Sequence, residues 1–299
     1  MIQINSCTFV NIHKNTITLS MSTLNCKGKI LDLTVPKVMG IINITPDSFF
    51  EGYLDQSNDQ IIGMARNMIF QGAAILDIGG QSTRPGSARI SASEEISRVI
   101  PVIKSLHQHL PDAILSIDTY YSEVAKIAVE AGASVINDIS SGEFDKNMIE
   151  LVSKLNVPYI CMHIQGTPET MQNAPDYTDV VKEILDFFIK KVSDCKKAGI
   201  KDIIIDPGFG FGKTINHNFQ LLKELNVFNV IDCPILVGLS RKGMIYKSIG
   251  ASPVDALNGT TVANTLALHN GASILRVHDV REAVESIKLY ELYKNAAPL

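Results

Sequence analysis

IIIDPGFGFGK, residues Ile203 to Lys213, is a short β-branched run that ends on a carboxylate, Asp206, and turns into a glycine-rich loop. Three consecutive apolar β-branched residues make a buried strand rather than a half-exposed one, and Pro207 stops the sheet ladder. Gly208, Gly210 and Gly212 then let the backbone turn tightly and approach a ligand, with rings at Phe209 and Phe211. A charged group at the carboxyl end of a buried strand, followed by a flexible loop, is where α/β folds put binding and catalysis. Taken alone, the segment is also readable as a glycine-rich connection, though the functional reading is the better one. It resembles a phosphate loop only superficially, because the G-x-x-x-x-G-K-[ST] spacing is not met.

The same pattern recurs along the chain. Strands are expected at Val38–Ile42, Ala74–Ile78, Ile114–Ile117, Ser134–Ile136, Pro158–Met162, Ile203–Ile205, Ile235–Val237 and Ser273–Val277. Amphipathic stretches of helical period separate them. One carries Ile61, Ile62, Ala65, Met68 and Ile69, with a capping box expected at Ser57 to Gln60 and a stop at Gly72. Another carries Ile96, Val99, Ile100 and Ile103, is entered through Ser91 and Glu94, and is expected to kink at Pro101. The remaining helices are read at 123–132, 147–155, 179–199, 216–225, 258–271 and 280–290. Eight strand–helix units in roughly 250 residues match a single closed (β/α)8 barrel, a TIM barrel. An open doubly wound sheet satisfies the same count. The barrel is read over residues 38–299, after an irregular or hairpin-like lead-in over 1–37.

Bulk properties narrow the class. The 299 residues are 45% apolar and 19% charged, with a net charge of −4, which points away from nucleic acid or an acidic membrane surface. Five scattered cysteines without C-x-x-C spacing read as reduced thiols. The first residues lack the pattern of a signal peptide, and no apolar run is long enough to cross a bilayer. A soluble cytoplasmic protein is expected.

Every expected strand ends on polar or glycine residues: Asn43, Asp77, Asp118 with Thr119, Asn137 with Asp138, His163, Asp206, Gly238 before LSRKG, and Arg276 with His278 and Asp279. Packing explains one such residue easily, but not eight rims in succession. Asp118, Asn137, Asp206 and Lys242 suit the edge of a heteroaromatic ring that carries amine and amide groups. Asn43, Arg84, Arg276 and His278 suit a phosphate or pyrophosphate on the other side. Ile139, Met162 and Phe211 suit the faces of a flat ring.

MGIINITPDSFFEGY, DIGGQSTRPGS, SIDTYYSEVA, INDISSG, MHIQGTPETMQ, IIIDPGFGFGK, VGLSRKGMI and RVHDV together resemble the bacterial dihydropteroate synthases, in that family's order and over about four-fifths of the chain. The resemblance implies a homodimeric (β/α)8 barrel that condenses 6-hydroxymethyl-7,8-dihydropterin pyrophosphate with p-aminobenzoate, releasing pyrophosphate by a dissociative path, and that sulfonamides inhibit. It further implies a pterin site of Asp118, Asn137, Ile139, Met162, Asp206, Phe211, Gly238, Lys242 and Arg276. Asn43, Arg276 and His278 would take the pyrophosphate, with Asn43 touching Mg2+. The long loops 44–57 and 83–91 would act as lids, bringing Asp47, Phe49, Glu51, Thr83, Arg84 and Pro85 to the p-aminobenzoate and cation region, where Phe211 and Ser240 would join them. Glu51, Gln81 and Gly243 depart from the family's usual Asp, Glu and Ser. A related pterin barrel that transfers a methyl group from methyltetrahydrofolate to a corrinoid, and a pterin-binding paralogue without catalysis, are the competing readings. The first would not need the STRPG and SRK loops or the RVHD anion site, and intact Asn43, Arg84, Arg276 and His278 speak against the second.

Overall fold

The computed structural model describes residues 23–44, 54–82, 86–171 and 175–297. After a two-stranded hairpin, its strands are β3 (Lys37–Asn43), β4 (Ala73–Gly79), β5 (Ile114–Asp118), β6 (Val135–Asp138), β7 (Tyr159–Met162), β8 (Ile203–Asp206), β9 (Leu236–Val237) and β10 (Ile274–Val277). They form one sheet in the order β8-β7-β6-β5-β4-β3-β10-β9, and every pairing in it is parallel. A parallel bridge between Ile205 and Ile235, with Ile205 N–H donating to Pro234 O at 3.0 Å, joins the two ends. The sheet is therefore a closed barrel, not an open doubly wound one. The expected strands agree with these to within two residues at each end.

The intervening helices also fall where the apolar period places them. Ser91 accepts from Glu94 N–H at 3.2 Å to start helix Ala92–His109, which continues through Pro101. Thr214 and His217 form a capping box at the start of helix Ile215–Lys223. The first helix is a correction: it spans Leu54–Gln71, so Ser57 lies inside it rather than at its cap. Its end at Gly72, with φ +106°, is as expected. A short helix, Gly243–Tyr246, and a 3-10 turn, Leu225–Ile231, went unread because neither is long enough to show a period.

Ahead of the barrel, β1 (Thr23–Cys26) and β2 (Lys29–Asp32) pair antiparallel around Lys27 and Gly28, both at positive φ as a two-residue hairpin turn requires. The hairpin plugs the amino-terminal end of the barrel. Its Leu24, Cys26 and Leu31 pack on one inward residue from each barrel strand: Met39, Ile75, Ile114, Val135, Ile160, Ile204, Leu236 and Ile274. Lys27 Nζ donates to Val129 O at 2.9 Å, and Lys29 Nζ reaches Pro111 O and Ala113 O. Closing one end with apolar side chains leaves chemistry to the other. Leu24 is 1% exposed, so Leu24→Ala is expected to cost about 2–4 kcal/mol in urea unfolding with pterin affinity unchanged. Equal loss of both would mean that the plug shapes the opposite mouth.

Candidate active site

The carboxyl rim of the barrel is built on Arg276, the third residue of β10. Its Nε donates to Asp77 Oδ2 at 2.7 Å and an Nη donates to Asp118 Oδ2 at 2.6 Å. Asp77 also accepts from Asn137 Nδ2 at 3.0 Å. Residues of β4, β5, β6 and β10 are thus tied into one charge network. The sequence reading set Asp118 and Asn137 on one side and Arg276 on the other; the structure joins them. Asp77 is the residue that reading left without a role. Its signal was a carboxylate inside the apolar run AAILDIG, which a barrel interior tolerates only with a partner.

Burial pushes the Asp118 carboxyl up to about 7, helped by the nearby charges of Asp77, Asp138 and Asp206 and opposed by Arg276. Burial likewise raises Asp206, against the Lys242 cation and a 2.8 Å bond from Gly208 N–H. Lys242 is pulled down to about 8, again by burial, with Asp206 opposing. Its stem passes Gly210, and its Nζ lies by Gly238, donates to Phe209 O and sits 4.6 Å from the centre of the Phe211 ring. Asp118 must be ionised and Lys242 protonated for both to hold a polar ligand. Protonation below about pH 7 and deprotonation above about pH 8 each remove one of them, so kcat/KM should be bell-shaped between those limbs. A profile flat from pH 6 to 9 would remove one or both groups from the reaction.

Tyr120, Ile139 and Met162 form a small apolar cluster with Phe211 and Ile164 against it, a surface suited to a flat ring. Asn43 ends β3, and its Oδ1 would lie 3.7 Å from a Cβ placed on Gly79, as would Asp118 Oδ2. Ser240 Oγ lies 3.0 Å from His278 Nδ1 and accepts from His278 N–H at 3.2 Å, which groups Ser240 with His278. Between them Arg241, at φ +54°, makes a bidentate pair with Asp279 at 2.9 and 2.8 Å and donates to Pro253 O and Val254 O. That clamp, unread in the sequence, fixes the backbone on which Ser240, Lys242 and His278 stand.

The glycine loop has its own strut. Lys213 Nζ donates to Gly208 O at 2.9 Å and Phe211 O at 3.0 Å, and lies 3.1 Å from His163 Nδ1. Burial holds His163 neutral, its pKa down at about 2, which leaves one ring nitrogen able to accept from Lys213 Nζ. Burial also draws Lys213 well below the usual lysine range, yet acceptors alone around Nζ match the three protons of an ammonium. Gln81, the departure that lost a charge, uses both ends of its amide: Nε2 donates to Tyr120 Oη at 2.6 Å and Oε1 accepts from Ile90 N–H at 3.1 Å. Asp47, Phe49, Glu51, Thr83, Arg84 and Pro85 lie outside the described residues.

A closed parallel barrel with an apolar plug at one end and this network at the other belongs to the (β/α)8 enzymes that work at the carboxyl ends of their strands. Residues 39–278 match the family model of pterin binding enzymes. The chain is 43% identical to the dihydropteroate synthase of Escherichia coli K12 over 270 residues, 90% of this chain and 95% of that one. It superposes on the crystal structure of the Yersinia pestis dihydropteroate synthase with a sulfonamide drug complex at TM-score 0.85 and 41% identity, covering 92% of this chain and 100% of that one. The Xanthomonas albilineans dihydropteroate synthase with 4-aminobenzoic acid gives TM-score 0.86 at 39% identity, with 92% and 99% covered. The chain belongs to the pterin binding enzymes, in the dihydropteroate synthase family.

Proposed function

We propose that the protein acts as a dihydropteroate synthase, a transferase that joins 6-hydroxymethyl-7,8-dihydropterin pyrophosphate to p-aminobenzoate and releases pyrophosphate. The observation that carries this is the buried Asp77–Arg276–Asp118 network with Asn137 beside it, in a chain so close to enzymes of that name. Asp118, Asn137 and Asp206 take the ring edge, and Lys242 takes a ring nitrogen or carbonyl, with Ile139, Met162, Phe211 and Gly238 shaping the slot. Arg276 stacks on the ring and, with Asn43 and His278, stabilises the departing pyrophosphate. That stabilisation is the main catalytic contribution, since the weakly basic aromatic amine needs neither a protein nucleophile nor a strong base. Asp47, Phe49, Glu51, Thr83, Arg84, Pro85 and Ser240 complete the amine and cation region, where sulfonamides would compete.

No group of three or more His, Cys, Asp or Glu side chains among the described residues is arranged to hold a metal. A single amide oxygen at Asn43 instead fits a hard cation shared with substrate phosphates. Magnesium bound there would neutralise charge on the leaving group. Burial of the free cysteines Cys26, Cys161, Cys195 and Cys233 supports a cytoplasmic setting, and no helix among the described residues is long and apolar enough to cross a membrane. The boundary of the lead-in at residue 37 follows the hairpin.

The assay is pyrophosphate release with and without p-aminobenzoate and magnesium. Magnesium-dependent release, with dihydropteroate formed only when the amine is present, supports the reading; tight pterin binding without release would favour a non-catalytic paralogue. A homodimer is part of the proposal. The packed helices Leu257–His269 and Val280–Lys294 leave Val262, Leu266, Leu289, Leu292 and Tyr293 exposed. Leu292→Glu is expected to halve the mass in sedimentation; an unchanged dimer would move the interface elsewhere.

A further inference from the structure

We infer that Asp77 is a positioning residue that sets which way the Asn137 amide faces, and so fixes the donor–acceptor pattern the site shows to its ligand. The inference rests on the pterin reading of that site. Asp77 is fully buried, and its Oδ2 accepts from both Arg276 Nε, at 2.7 Å, and Asn137 Nδ2, at 3.0 Å. A carboxylate held against an arginine can only accept, so the amide nitrogen of Asn137, not its oxygen, must face Asp77. The Arg276 guanidinium locks Asp77 in turn, and Thr119 N–H donates to the Asn137 backbone carbonyl at 2.9 Å, holding that residue in place. The amide cannot flip without setting oxygen against carboxylate.

What remains of the Asn137 amide for a ligand is Oδ1 and the second Nδ2 proton, an acceptor beside a donor. That pair complements an exocyclic amine next to an unprotonated ring nitrogen, as on a 2-amino-4-oxo pteridine. A 2,4-dioxo pteridine presents a carbonyl next to a ring N–H, the inverse pattern, and would meet a mismatch at both positions. Asp77 thereby acts as a specificity determinant without touching the ligand. Its other oxygen, Oδ1, has no hydrogen-bond partner among the described residues, so one oxygen carries both tasks.

The test compares the affinity of 6-hydroxymethyl-7,8-dihydropterin with that of the corresponding dihydrolumazine by calorimetry on the intact protein. The unaltered protein is expected to prefer the pterin by on the order of 100-fold, two mismatched positions each costing about tenfold. Asp77→Ala removes the acceptor that fixes the Asn137 amide, so that preference should fall at least about tenfold. Loss of the charge beside Arg276 affects both ligands alike and leaves the ratio unchanged. In an Asn137→Ala background the Asp77→Ala change should leave the ratio where Asn137→Ala alone puts it. Equal weakening of both ligands in Asp77→Ala would overturn the inference, leaving Asp77 a structural anchor. So would an unaltered protein that binds the two equally, a result that stands even if the variant does not fold. An unaltered protein that binds neither ligand would instead overturn the pterin reading, and this inference with it.

Discussion

Arg276→Ala is expected to lower pyrophosphate release by at least about a thousandfold and to destabilise the fold by about 3–5 kcal/mol. The guanidinium is the partly buried cation between Asp77 and Asp118, both within 2.7 Å of it. Removing it leaves two carboxylates facing each other without compensation, and burial already pushes Asp118 up to about 7. Asp118 should therefore take up a proton, and the site loses an acceptor as well as a cation. Pterin affinity falls together with pyrophosphate affinity. Motif reading alone favours the opposite result, in which bare pterin binding survives because Arg276 is assigned to the anion. His278→Ala is the variant that separates the two, because His278 is paired with Ser240 and is not a member of the Asp77–Arg276–Asp118 bonds. Arg276→Lys should regain part of the stability and little of the activity, since an ammonium does not reproduce the planar fork that spans two carboxylates. Thermal melts and calorimetry with pterin and pyrophosphate decide the matter. An Arg276→Ala protein with ordinary melting and ordinary pterin affinity would show that the network is incidental.

Gly208→Ala is expected to be the most damaging single-atom addition. Gly208 sits at φ +71°, and a Cβ there would lie 1.9 Å from His163 O. The left-handed backbone costs about 1–2 kcal/mol for alanine, and relieving the clash costs about 1–3 kcal/mol more. Neither neighbour can yield easily, because Lys213 Nζ donates to the carbonyl of Gly208 and lies against the ring of His163. Displacing this loop also moves Phe209 O, the anchor of Lys242 Nζ. Both the urea midpoint and pterin affinity should drop, and a change under about 1 kcal/mol would mean that the loop repacks freely. Gly63 makes a contrast: it lies in the interior of helix Leu54–Gln71 with nothing within 4 Å of an added Cβ, and Gly63→Ala should be tolerated or stabilising.

Strand positions, helix positions and the polar rim were legible because each depends on local order. A buried parallel strand must be apolar throughout, and a covering helix must repeat its apolar residues every three or four positions. Asp118, Asn137, Asp206, Lys242, Arg276 and His278 were found by the same means, since polar residues just past apolar runs collect at one end of any barrel. The hairpin turn at Lys27 and Gly28 left a weaker local trace. Barrel closure was expected from the strand count and the family resemblance, but an open sheet also satisfies that count, and the Ile205–Ile235 bridge is what distinguishes the two.

Which side chains bond to which was likewise outside the reach of sequence. Arg276 and Asp77 are 199 residues apart, Lys213 and His163 are 50 apart, and Arg241 and Asp279 are 38 apart. No period or motif spacing encodes such pairs, because they form only when the barrel brings strand ends together. The sequence by itself determined the barrel units, the rim that carries the chemistry and the family. The tertiary structure decided that Asp77 is the centre of that rim and that Lys213 and Arg241 hold its loops, because a buried charge acquires its role from partners that folding supplies.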